Sequence, residues 1–349
     1  MPVNQTLSNF SDLSFRTAFV IYALALVLSL VYYGRMQTVI QAHRERKEAR
    51  REREKVAVGA DASPVSNAGT GDSVGNDEQD PSAVDAALDG DELAKKERKA
   101  DKFGGMTQAL IWLGLILHLL SIVLRGFATK RFPLGNLYEY MLVITFGALV
   151  VAAVALQHKE RRTLWPWILT PLMVLMFYGA TELYAESAPV VPALQSYWLP
   201  VHVATVSLGG SLGIVSGLFS VLHLLRRWQP KGNEHGFMGA VLRPLPTAKK
   251  LDQIAYRIGV IALPTLGLGI ILGAIWAESA WNRFWGWDPK ETMSFVTWIL
   301  YAAYLHARQT AAFKKAAPWI NVLATAAMIF NLFFINLVVS GLHSYAGLN

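Results

Sequence analysis

The chain has 349 residues, 53% of them hydrophobic and only 16% charged, with a mean hydropathy of +0.32. Soluble domains carry about 25% charged residues, so an ordinary soluble enzyme is excluded and a series of spans of about 20 apolar residues each is implied. No cysteine is present, which excludes disulfides, thiolate metal sites and thiol nucleophiles in this chain.

Eight segments are apolar enough to predict an all-α polytopic membrane protein: 15–35, 104–124, 137–157, 164–184, 197–225, 254–276, 292–312 and 318–340. The first lacks a basic start and a small-residue cleavage site, so it reads as a retained span. Lys and Arg set the orientation. With the N-terminus outside, the inner segments hold 25 basic residues and the outer ones 5, out of a total of 32. The positive-inside rule then predicts both termini outside and removes the +7 net charge as a nucleic-acid footprint. One loop is discordant: 125–136 is outer yet carries Arg125, Lys130 and Arg131.

The chain divides by composition into an isolated first span (1–36), an inner charged and linker segment (37–103) and a seven-span core (104–349). Arg44–Lys55 holds seven basic and four acidic residues and is expected to extend the first helix. Residues 56–94 hold nine acids, no Lys or Arg and no aromatics. Such a stretch lacks apolar surface to bury and is expected to be a disordered linker.

The outer loop 276–291 packs Trp276, Trp281, Trp285 and Trp287 into 12 residues, with Phe284, Arg283, Asp288, Lys290 and Glu291 between and after them. An interfacial aromatic belt accounts for Trp165, Trp167, Trp198 and Trp319. It does not require this density. A flat apolar ligand suits stacked rings, and Arg283 and Lys290 suit carboxylates at its rim. Asp288 before Pro289 fits a helix start or a proton carrier, and Glu291 a salt-bridge partner.

The histidines separate by depth. His43, His158 and His235 lie in inner loops, and His223 lies near the inner end of the fifth span. His118 lies mid-membrane. His306 is 14 residues into the seventh span, about 20 Å from its outer start. Ionisable groups at such depth are functional candidates, although a histidine bonded between helices is the competing reading. His202 and His343 lie at the outer face, on either side of the Trp loop in sequence. They suit two axial ligands of one haem iron, or are two unrelated interfacial residues.

The run Trp281–Glu291, preceded by Leu272-Gly-Ala-Ile-Trp276 and followed by Thr297-Trp-Ile-Leu-Tyr-Ala-Ala-Tyr-Leu-His306, resembles the WWD domain of CcsA-type cytochrome c biogenesis proteins. These are haem-handling subunits of the two-component (system II) cytochrome c synthase. Further motifs fit in order: Phe132-Pro-Leu-Gly-Asn-Leu-Tyr-Glu139, Leu194-Gln-Ser-Tyr-Trp198-Leu-Pro-Val-His202, Asp252-Gln-Ile-Ala-Tyr-Arg257 and Gly341-Leu-His343-Ser-Tyr345. The resemblance covers about residues 104–349.

The resemblance implies that haem b is carried from the cytoplasmic side to the outer face of a bacterial plasma membrane. It is attached there by thioether bonds to the CysXXCysHis motif of an apocytochrome c. By the same resemblance His202 and His343 are the outer axial ligands, and Trp281, Trp285, Trp287 and Asp288 form the WWD motif. His306 is the histidine of an inner haem-entry site completed by a ResB-type membrane subunit. Thiol-reducing thioredoxin-like proteins are implied indirectly. The chain would be one subunit of a holocytochrome c synthase. His118 takes no role from the family and stays a channel candidate on depth alone. One position departs: Asn282 stands where the motif usually has Gly. Two other classes remain as alternatives: a membrane b-type haem oxidoreductase acting with quinone, and a permease for another amphipathic molecule.

Overall fold

The computed structural model describes residues 3–60, 81–189 and 194–343. Nine α-helices follow in order among them: α1 (Gln5–Ala60), α2 (Pro81–Thr129), α3 (Leu137–Ala155), α4 (Trp165–Thr181), α5 (Trp198–Trp228), α6 (Gly236–Leu242), α7 (Ala248–Trp281), α8 (Pro289–Gln309) and α9 (Ala317–Phe330). A 3-10 turn, Lys159–Leu164, leads into α4, and a π turn, Asn331–Ile335, continues α9. No strand occurs among the described residues.

The protein is a multi-pass membrane protein. Among the described residues, seven helical stretches are long and apolar enough to cross a bilayer. The eighth expected span, 292–312, forms as the 21-residue α8. Its Thr, Tyr, Trp and His side chains leave it less apolar than the seven.

Two expectations about the N-terminal part change. Helix α2 begins at Pro81, so residues 81–94, expected in the linker, are helical. Ala, Glu and Lys are strong helix formers, Glu92 pairs with Lys95 at 3.6 Å, and Leu93 and Ala100 are buried. The linker residues 61–80 lie outside the described residues. Nor is the first span isolated. Phe15, Ala18, Tyr22 and Ala25 of α1 belong to the same buried cluster as α2–α5 and α7. Tyr22 lies flat on Gly114, where a Cβ would come within 2.4 Å of the ring. Ser11 Oγ donates to the Ser121 carbonyl at 2.8 Å.

Helix α5 is the central post. It carries Ser207, Gly209, Gly210, Ser211, Gly213, Ser216, Gly217 and Ser220 around most of its circumference, all buried. Small residues let membrane helices approach closely where apolar burial supplies no drive between them. A Cβ on Gly209 would sit 2.9 Å from the Leu266 backbone, and one on Gly269 of α7 2.7 Å from Val206 Cγ2.

The discordant basic loop is neutralised from within. Arg125, fully buried, donates to Glu139 Oε1 at 3.0 Å and lies 3.5 Å from Asp12. Arg131 holds both Glu139 oxygens, at 2.7 and 3.0 Å. Glu139 also accepts the Gly135 N–H at 2.7 Å, and its own N–H caps α3 on Asn136 Oδ1 at 2.8 Å. Breaking such a buried pair costs about 3–5 kcal/mol. This carboxylate therefore fixes the 131–139 segment, whose Leu134, Gly135 and Asn136 wall the cleft described next.

Candidate functional site

A cleft with about 1380 Å³ of open space, solvent side included, lies at the end of the bundle that carries the Trp loop. Helices α3, α5, α7, α8 and the α9 terminus surround it. His202, His343, Trp276, Trp281, Trp285 and Lys290 all line it.

The two histidines reach it by different routes. His202 is one turn into α5, and its Nδ1–H donates to the Gly269 carbonyl at 2.9 Å. Helix α7 can come this near only because Gly273 faces the ring: a Cβ there would lie 2.6 Å from His202 Cε1. His343 follows the last helix, and its Nδ1–H donates to Asp288 Oδ2 at 2.7 Å. A carbonyl or carboxylate can only accept, so in each ring Nδ1 carries the proton. In the neutral ring Nε2 is then the lone-pair nitrogen, the arrangement that orients metal-ligating imidazoles.

Asp288 does three things. It is the N-cap of α8, with Glu291 closing a reciprocal capping box. It orients His343. Its Oδ1 accepts the Leu342 N–H at 2.7 Å. Gly341 permits the approach, since a Cβ there would meet Asp288 Oδ1 at 2.6 Å. Burial alone would raise the Asp288 pKa, but the hydrogen bonds from the His343 ring and from the Leu342 and Lys290 backbone hold it down to about 2. It is therefore a carboxylate at every physiological pH.

The rings form a continuous file. His202 to Trp276 is 5.8 Å between centroids, Trp276 to Trp281 6.3 Å, and Trp281 to His343 5.1 Å. Trp285 packs edge-on to Trp287 at 5.7 Å and on Phe295 at 6.2 Å.

The loop backbone is bent to hold them. Asn282 ends α7 with φ 57°, in the left-handed region. Gly takes that conformation freely and Asn is the next best residue, so the departure from the family motif preserves the turn. Trp287 also has φ 57°. A bulky residue there carries strain of about 1–2 kcal/mol. It is held by Glu291 Oε2, which accepts the N–H of Gly286 at 2.9 Å and of Asp288 at 3.1 Å.

Other expected residues are placed elsewhere. Trp287 is 67% exposed and does not line the cleft, whereas Phe284 does. Arg283 folds back over Gly286, lies 3.6 Å from Glu291 and faces the Trp281 ring; it does not itself line the cleft, and its Nη1 is buried without a hydrogen-bond partner. His306 is exposed on the outer side of α8, about 27 Å along the helix from Asp288. His118 is fully buried among Phe15, Tyr22 and Phe146, away from the cleft; neither ring nitrogen makes a well-formed hydrogen bond, and the nearest backbone acceptor is the Leu142 carbonyl. His223 Nδ1 donates to the Ala248 carbonyl at 2.8 Å. Among the described residues no three His, Asp or Glu side chains converge on a bare metal ion.

A helical membrane bundle with a paired-histidine cleft under a tryptophan loop defines the class. The chain belongs to the cytochrome c assembly protein family, whose model matches residues 134–343. Within it the chain is of the CcsA type. It is 35% identical over 242 residues to the cytochrome c biogenesis protein CcsA of Guillardia theta, covering 64% of this chain and 80% of that one. It is 34% identical over 276 residues to CcsA of Prochlorococcus marinus, covering 71% and 84%. Among solved structures, the cytochrome c haem lyase CcmF has the same fold, with a TM-score of 0.58 at 16% identity over 95% of this chain. The chain spans about half of that longer protein, 47%.

Proposed function

We propose that the chain presents haem b for attachment to apocytochrome c, with His202 Nε2 and His343 Nε2 as the iron's axial ligands in the cleft. The observation that carries this is the matched pair of imidazoles, each with Nδ1 committed to a fixed acceptor and each lining the same space. The file Trp276–Trp281 between them offers stacking surface to a porphyrin.

The cleft faces outward in this reading. The 25 to 5 distribution of basic residues supports it, and the internal pairing of Arg125 and Arg131 accounts for most of the exception. Haem enters at the opposite side through His306. Its exposed position suits a site completed by a second membrane chain, the ResB-type subunit. The reacting thiols come from the client, since this chain has none. Each thiol S–H adds across a vinyl C=C: a C–S bond forms and the hydrogen goes to the terminal carbon. The protein's part is positioning, which holds the two reactants at attack distance.

The test is a strain carrying His202→Ala with His343→Ala, at normal expression. It should lose covalent cytochrome c, and the purified variant should lose its bis-histidine haem spectrum. Full cytochrome c assembly in that strain would refute the reading.

A further inference from the structure

The cleft walls differ in their polar content. Besides Tyr140 and His202, helices α3, α5 and α7 contribute the apolar Ile144, Leu199, Val203, Val206, Leu266 and Ile270, and α9 with its π turn adds Met328 and Leu332. The facing wall, from α8 and the end of α9, contributes Lys290, Ser294, Thr297, Asn331 and Asn336. In a membrane protein such a wall is costly unless something uses it.

Lys290, Ser294 and Asn336 offer donors here, while Thr297 gives its hydroxyl hydrogen to the Met293 carbonyl and Asn331 Oδ1 is a buried acceptor without a partner. Lys290 Nζ has three N–H groups and gives one to Asn336 Oδ1. Asn331 Nδ2 donates to Ser294 Oγ at 3.0 Å, which leaves the Ser294 hydroxyl hydrogen for another acceptor. The Asn336 amide is buried and held by the Leu332 carbonyl. Asn331 and Asn336 are five residues apart and would diverge by about 140° on an α-helix. The π turn Asn331–Ile335 brings both to the cleft, the kind of local feature found at functional sites. Glu291, the carboxylate in this wall, is tied to the loop through Oε2, which accepts the Gly286 and Asp288 N–H groups and lies 3.6 Å from Arg283; its buried Oε1 has no hydrogen-bond partner.

We propose that Lys290, Ser294, Asn331 and Asn336 form a carboxylate subsite that takes the propionates of the porphyrin. The inference rests on haem occupying the cleft. It assigns which edge of the molecule faces which wall. The propionate edge meets α8 and α9, and the apolar vinyl edge, where attachment occurs, is directed away from them. Arg283, whose sequence position also suggested a propionate partner, takes no part.

The test uses two probes on the purified full-length protein: iron protoporphyrin IX and its dimethyl ester, titrated by Soret absorbance. A charge-assisted pair contributes enough for about a tenfold preference for the diacid in the wild type. The double variant Lys290→Met/Asn336→Leu should abolish that preference, by weakening the diacid and not the ester. Ser294→Ala, a milder change, should narrow it by a few-fold, about the value of one hydrogen bond. Arg283→Met should keep it. Retention of the preference in the double variant, or its loss in Arg283→Met, would overturn the subsite. Failure of both porphyrins to bind the wild type would overturn the haem reading, and the subsite with it.

Discussion

His202 and His118 are both histidines inside a helical bundle, yet their surroundings differ in kind. His202 has a carbonyl fixed to Nδ1, a glycine cut away beneath its ring and an open cleft beside it. His118 is packed by Phe15, Tyr22 and Phe146, with no well-formed hydrogen bond at either nitrogen and no cleft. His118 is fully buried and His202 partly so, and only His202 has one nitrogen committed to an acceptor with an opening beside the ring. The contrast teaches that membrane depth alone is a poor guide to a ligand. The second shell is the better one.

The contrast breaks most readily at Asp288. Asp288→Ala removes the cap of α8, worth about 1 kcal/mol, and frees the His343 ring. Removing such an outer partner weakens metal binding by about 10–100-fold. The expected result is that loss in a haem titration, with only a modest drop in Tm. Asp288→Asn keeps a capping oxygen and should fall between. Wild-type haem affinity in Asp288→Ala would show that His343 needs no orientation.

A smaller effect is expected at Gly273. The methyl of Gly273→Ala meets the His202 ring at 2.6 Å and must displace it. Overpacking costs about 1–3 kcal/mol, so haem affinity should fall roughly tenfold. Gly267→Ala sharpens the comparison. It crowds Trp298 at 2.7 Å but touches no histidine. It should lower Tm comparably while leaving the haem spectrum intact. Equal spectral loss in both variants would make the effect one of general packing.

Much of this was legible in the sequence. Period and hydropathy marked the spans, and the Trp-dense loop and flanking histidines marked the cleft. Three features were not. The tie from Asp288 to His343 crosses 55 residues and depends on a glycine at 341; no local pattern encodes it. The π turn that gathers Asn331 and Asn336 breaks the very periodicity by which a helical face is read. The packing of α1 was hidden because the acidic linker after it suggested separation, whereas Tyr22 on Gly114 is a contact between distant positions. That packing, in turn, settles what encloses His118.

His118→Leu should therefore do least. An unbonded polar group in a closed apolar site is costly, and replacing it by an apolar side chain of similar size is close to neutral or stabilising. The variant is expected to show an equal or higher Tm, wild-type haem binding in the cleft and normal cytochrome c assembly. The informative failure would be selective: a cleft that still binds added haem in vitro, with cytochrome c assembly lost in cells. That outcome would place His118 on the route of haem, and would mean that the α1–α2–α3 packing opens during transfer.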